Sequence, residues 1–153
     1  MAKSKYQTKR ITNKRASFDY ALGDSFVAGI SLTGAETKAL RLGHGHLKGA
    51  YVTVKDGELY LLNATITGFN GVKLTESEQT RSRKLLLKRR EIDQLIEQKN
   101  SGKSIIPTEL LTKGRYIKLR LASGTGRKKY DKRELIKKRD QQRSNQIDLR
   151  GKL

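Results

Sequence analysis

Cysteine and tryptophan are absent from this chain, proline occurs once, histidine twice, and acids number only 15 against 34 lysines and arginines in 153 residues. Without thiols, disulfide staples, zinc ribbons and cysteine nucleophiles are excluded, and nothing points to an oxidising compartment. No run approaches the roughly 20 apolar residues of a membrane span. The stretch from Met1 to Arg15 is basic but lacks the apolar segment of a signal peptide. These absences predict a soluble, cytoplasmic protein with no membrane partner.

The scarcity of acids leaves a formal net charge of +19. In one compact domain that excess costs self-repulsion unless a polyanion neutralises it, so the expected partner is nucleic acid. A hydrophobic fraction of 35% supports one modest core.

Three parts follow from composition: a basic N-terminal arm over residues 1–17, a folded domain over 18–122 that holds most of the β-branched and large aliphatic residues, and a basic tail over 123–153. Tyr51–Lys55 and Glu58–Leu62 flank Asp56-Gly57, the pair preferred in a type I′ hairpin turn, which sets Val52 and Val54 against Leu61 and Leu59. Ile117, Leu119 and Leu121 alternate with Tyr116, Lys118 and Arg120, a strand with a basic outer face. Phe26–Leu32 and Lys84–Leu87 read as short strands, and Ile105-Ile106 before Pro107 starts another. Thr33 and Glu36 form a capping box, with Ala35, Ala39 and Leu42 on the apolar side of the helix that follows. Ile92, Leu95 and Ile96 mark a second helix, on which Arg89 and Asp93 are spaced to pair. Strands with inserted helices predict a mainly β fold, a small closed barrel of the oligonucleotide-binding type. Ser123-Gly124-Thr125-Gly126 reads as a flexible hinge, and the residues after it lack a continuous apolar face. The tail is therefore expected to be at most partly helical until it meets a polyanion.

Other chemistries find little support. Gly102-Lys103-Ser104 lacks the first glycine of a phosphate-binding loop and reads as a turn, and Gly124-x-Gly126 lacks the third glycine of a dinucleotide fingerprint. His44 and His46 have no further ligand at metal-site spacing, so neither a metal nor a cofactor is expected. RNA contact or plain surface suits the two histidines, with a structural role or an acid/base pair in phosphodiester cleavage as alternatives. Tyrosines among the cations can stack on unpaired bases.

The order of segments resembles the SsrA-binding protein family, also called small protein B. Asn13-Lys14-Arg15-Ala16, Asp19-Tyr20, Ala28-Gly29-Ile30 and Leu32-Thr33-Gly34-x-Glu36-x-Lys38-x-Leu40-Arg41 are similar to its opening. Leu47-Lys48, Tyr51, Asp56-Gly57-Glu58, Asn63, Arg83-Lys84-Leu85-Leu86-Leu87 and Arg90-Glu91-Ile92-Asp93 follow in family order. Gly126-Arg127-Lys128 and Asp131-Lys132-Arg133-Glu134 close it, so that the resemblance spans about residues 13–140. It implies a six-stranded antiparallel barrel with flanking helices and no enzymatic activity. It also implies a monomer that binds the tRNA-like domain of transfer-messenger RNA one to one and delivers it to stalled ribosomes.

By resemblance, Asn13, Lys14, Arg15, Tyr20, Glu36, Lys38, Arg41, His44, Tyr51, Arg83, Lys84 and Leu86 form the RNA-facing set. Gly126, Arg127, Lys128, Tyr130, Asp131, Lys132 and Arg133 belong to a tail that becomes helical on the ribosome and probes the decoding region and empty messenger channel of the small subunit. The chain departs from the family pattern at Val27, where the family usually has Glu, at His44-Gly45-His46, and at Glu76-Ser77-Glu78-Gln79. Another basic ribosome-associated or ribosomal protein, or a small basic nuclease, would share the charge and size.

Overall fold

The computed structural model describes residues 10–68 and 73–151; the arm lysines Lys3, Lys5 and Lys9 lie outside the described residues. Asp56 and Gly57 both adopt positive φ, 52° and 73°, as a type I′ turn requires. They join strands β4 (Tyr51–Lys55) and β5 (Glu58–Leu62), in which Val52 faces Leu61 and Val54 faces Leu59, the register expected from the sequence.

The remaining strands are β1 (Ile11–Thr12), β2 (Tyr20–Ile30), β3 (Gly45–His46), β6 (Thr65–Ile66), β7 (Arg83–Leu86), β8 (Ser104–Leu111) and β9 (Lys118–Gly126). Among the described residues, seven of the nine strands form one antiparallel sheet in the order β1-β8-β9-β2-β7-β5-β4, and β3 pairs separately with β6. The protein is thus mainly β, built on a large antiparallel sheet. That sheet has seven strands where six were expected, because the end of the presumed arm enters it: Ile11 is buried, and Thr12 pairs with Glu109. Pro107 sits beside a register shift in β8, a position that tolerates the missing N–H.

The helices are α1 (Ala16–Asp19), α2 (Gly34–Arg41), α3 (Glu76–Gln79), α4 (Arg89–Asn100) and α5 (Lys129–Gly151). Arg89 and Asp93 pair at 3.2 Å on α4. On α2 the capping box forms in both directions, yet the buried face is Glu36, Ala39 and Leu40 and not Ala35, Ala39 and Leu42. The stripe turns because Glu36, a charged residue, is drawn inside by a buried partner. Leu40 joins Ala28, Leu47, Leu59, Leu61, Leu85, Leu119 and Leu121 in the core.

That partner is Arg83, 0% exposed against 1% for Glu36. Its Nε–H donates to Glu36 Oε2, one Nη to the carbonyls of Ala64 (2.9 Å) and Arg81 (3.1 Å), and the other to those of Glu78 (3.0 Å) and Gln79 (3.1 Å). Arg81 donates to the other oxygen of Glu36. A buried charge is tolerable only when paired and fully hydrogen-bonded, and both conditions are met here.

Burial pushes the Glu36 carboxyl up, but hydrogen bonds from Arg81, Arg83 and the Thr33 N–H, with the charge of Arg83, hold it below its ordinary value. The stabilisation is therefore complete above the unfolded-state value of about 4.5 and is lost as pH falls through the lower folded-state value. Glu36→Gln should cost about 3–5 kcal/mol at pH 7 by leaving Arg83 uncompensated. In urea unfolding, the gap between variant and wild type should narrow as pH falls below about 4.5, where the unfolded chain's carboxyl begins to take up a proton before the folded one does.

Candidate nucleic-acid interface

β1 pairs with the end of β8, Asn13 and α1 follow back along that strand toward its start, and the turn between β3 and β4 lies against the same edge. Together they enclose a cleft of about 1030 Å³ lined by residues 12–16, Asp19, Tyr20, residues 46–53, Lys99 and residues 103–106. Lys14, Arg15, Lys48, Lys99 and Lys103 supply its cations, Tyr20 and Tyr51 its aromatic rings, and His46 a further polar group. Asp19 is the one acid among the lining residues. Cations from separate segments around flat rings suit a partner with phosphates and unstacked bases.

Of the residues implied by resemblance, Asn13, Lys14, Arg15, Tyr20 and Tyr51 are gathered here. Tyr51 is 48% exposed and lies on the hairpin face opposite Val52. Asn13 lines the cleft, but its side-chain amide donates to the carbonyl of Pro107 (3.0 Å) and its N–H to that of Thr108 (2.7 Å), which fastens the arm to β8. His46 lines the cleft while His44 does not. Gly45 between them is needed for packing: a Cβ there would lie 2.7 Å from Leu40 Cδ2.

Other implied residues have different places. Glu36 and Arg83 lie inside the protein and offer no surface to RNA, which corrects their assignment as contacts. Arg41 spends its guanidinium on the carbonyls of Thr112 (3.1 Å), Gly114 (2.8 Å) and Arg115 (2.8 Å), holding the β8–β9 loop. Lys38 is exposed on α2, outside the cleft. Lys84 and Leu86 project from the outer face of the main sheet, where Leu86 is 54% exposed opposite Gly29. Val27 and Lys118 share that face, since opposed residues in a ladder point to the same side.

The tail begins later than the sequence indicates. Ser123–Gly126, expected to be a hinge, complete β9: Gly124 pairs with both Leu22 and Ser104, and the Ser123 side chain is enclosed. Gly124 suits the site because a Cβ would meet the Ala21 carbonyl at 3.2 Å. α5 is then one helix of 23 residues with none buried. Its base is held by α1. The Arg127 N–H donates to the Asp19 carbonyl (2.8 Å) and its Nε–H to that of Ser17 (3.2 Å), while Lys132 pairs with the Asp19 carboxylate at 3.3 Å. Lys132 and Arg139, two turns apart, bring their charges to 5.9 and 6.0 Å from the Phe18 ring.

A family model described as SmpB protein matches residues 10–151. The chain belongs to the SmpB family. An SsrA-binding protein of Acholeplasma laidlawii is 43% identical over 142 residues, 92% of this chain and 95% of that protein. One from Staphylococcus aureus is 39% identical over 153 residues and 99% of each chain. A solved structure described as "tmRNA-SmpB: a journey to the center of the bacterial ribosome" matches with a TM-score of 0.64 and 31% identity, covering 78% of this chain and 85% of that one.

For this SmpB-family chain, sequence reasoning missed Lys99, Lys103 and Phe18. Lys103 follows Gly102, whose φ of 97° confirms the expected turn, but only the topology brings that turn to the arm. Among the described residues no cluster of His, Asp or Glu could hold a metal ion, and no helix is long and apolar enough to cross a membrane.

Neutralising Arg15, Lys48 or Lys103 singly should reduce the log–log salt slope of RNA binding by about 0.7–0.9 each, measured by filter binding. A slope unchanged in all three would remove the cleft as the site. Tyr51→Ala should cost about 1–3 kcal/mol of RNA affinity and Tyr51→Phe little, as stacking requires; equal losses would assign the contact to the hydroxyl.

Proposed function

We propose that this protein binds the tRNA-like domain of transfer-messenger RNA, one to one, and delivers it to stalled ribosomes in the cytoplasm without catalysing a step itself. The observation that carries the reading is the cleft, in which cations from separate segments surround two tyrosines and the lone acid is engaged by Arg15 and Lys132. A folded RNA elbow offers phosphates to the cations and unstacked loop bases to the rings. Relatives named for SsrA binding and a structural neighbour described by tmRNA and the bacterial ribosome support the same assignment.

The finer architecture belongs to the same reading: a closed barrel of the oligonucleotide-binding type, its ends meeting where β4 packs near β8. The cleft then lies at the mouth of the barrel, with Lys84 and Leu86 extending the RNA-facing surface around its side. The arm, barrel and tail divide the work. α5 carries its charge outward, with Tyr130, Asp131 and Arg133 exposed in its first turns, and serves the messenger channel and decoding region of the small subunit, whose RNA walls suit a cationic helix.

Removing residues 129–153, a cut that spares β9, should leave affinity for purified transfer-messenger RNA within about tenfold, a loss under about 1.4 kcal/mol. The same cut should abolish tagging of stalled chains in a reconstituted translation reaction. Loss of RNA capture without ribosomes would place the tail in the primary site. Cleavage of the RNA on prolonged incubation would replace the binding reading with that of a nuclease.

A further inference from the structure

Asp19 belongs to two structures at once. Its carboxylate forms part of the cleft wall, where Arg15 Nε approaches one oxygen at 3.4 Å; the other oxygen holds Lys132 Nζ of α5 at 3.3 Å. Phe18, next in sequence, is ringed by the cations of Arg15, Lys132 and Arg139, at 5.6, 5.9 and 6.0 Å from its centroid. Two cations, one from α1's entry and one from α5, therefore share one carboxylate, and together with Arg139 they share one ring. Like charges crowded in this way repel one another, and each weakens the hold of the others on the common partner.

Arg15 is exposed and has a second partner available whenever a phosphate enters the cleft. We propose that Asp19 is a positioning residue that couples RNA capture to the seating of the C-terminal helix: phosphate draws Arg15 away, and the carboxylate is left wholly to Lys132. The RNA-loaded protein then holds α5 in one orientation, while the free protein holds it loosely. By linkage, a seated helix favours RNA by the same factor. Lys132 thereby separates from its neighbours Asp131 and Arg133, which remain exposed on the helix for another partner.

The inference rests on the cleft being the RNA site, and the test separates the two. Amide hydrogen exchange across residues 130–140 would be followed in the full-length protein, with and without a saturating transcript of the tRNA-like domain, while affinity is measured in parallel. RNA should slow exchange there about tenfold in the wild type and less than twofold in Asp19→Asn and in Lys132→Gln, with the double variant no worse than either. Asp19→Glu should restore the effect. Arg15→Gln without RNA should already show protection near that of the RNA-bound wild type, a result that a merely structural role for Asp19 would not give. If the wild type binds the transcript and exchange in α5 does not respond, or Asp19→Asn responds like the wild type, the coupling is wrong. If the transcript does not bind, the cleft assignment itself fails.

Discussion

The guanidinium of Arg83 is enclosed by protein on every side, and five hydrogen bonds run from it to Glu36 on α2, to Ala64 ahead of β6, to Glu78 and Gln79 at the end of α3, and to Arg81 between α3 and β7. Four backbone carbonyls and one carboxylate oxygen from separate segments are tied together by a single side chain. Moving any of these segments away from the sheet would leave a charge in a medium that cannot solvate it. Such a node fixes geometry more than it adds stability. α2 is thereby locked against the main sheet, and Leu40 on its inner face meets Gly45, so that β3 and the residues leading into the cleft have one position.

The cleft depends on that frame but is assembled by weaker, more exposed contacts. Asn13 stitches the arm to β8, Arg41 holds the β8–β9 loop, and α1 receives the base of α5 through Phe18 and Asp19. These interactions use partly exposed groups, worth far less apiece than the buried node, and they fall around the cleft proposed to receive RNA. A rigid interior with a lightly fastened rim is the arrangement a shape-reading RNA binder requires. The tail helix is fastened at its first three turns by charge and one aromatic ring, which explains how a segment with few apolar residues can dock at all.

Local rules made much of this legible in the sequence. The Asp56-Gly57 hairpin, the Thr33–Glu36 capping box, the Arg89–Asp93 pair and the alternation around Leu119 all follow from contacts within a few residues. What the sequence concealed depends on partners far along the chain. Glu36 and Arg83, 47 residues apart, look like surface charges until the fold closes around them. Ser123–Gly126 has the composition of a hinge, yet β2 and β8 offer it two ladders. Lys103 occupies an unremarkable turn, and its place in the cleft is decided by the crossing of β8 beneath the arm. Phe18 gave no periodic signal because α1 has only four residues.

The cleft between the arm and the β3–β4 turn is the proposed receptor for transfer-messenger RNA. Ultraviolet crosslinking of the full-length protein in its own cells, with sequencing of the attached RNA and mass spectrometry of the attached peptides, tests it most directly. Transfer-messenger RNA should be the dominant species, joined through its tRNA-like domain to peptides containing residues 13–20 and 46–53. Crosslinks to bulk ribosomal RNA alone, or transfer-messenger RNA joined only to peptides outside the cleft, would contradict it.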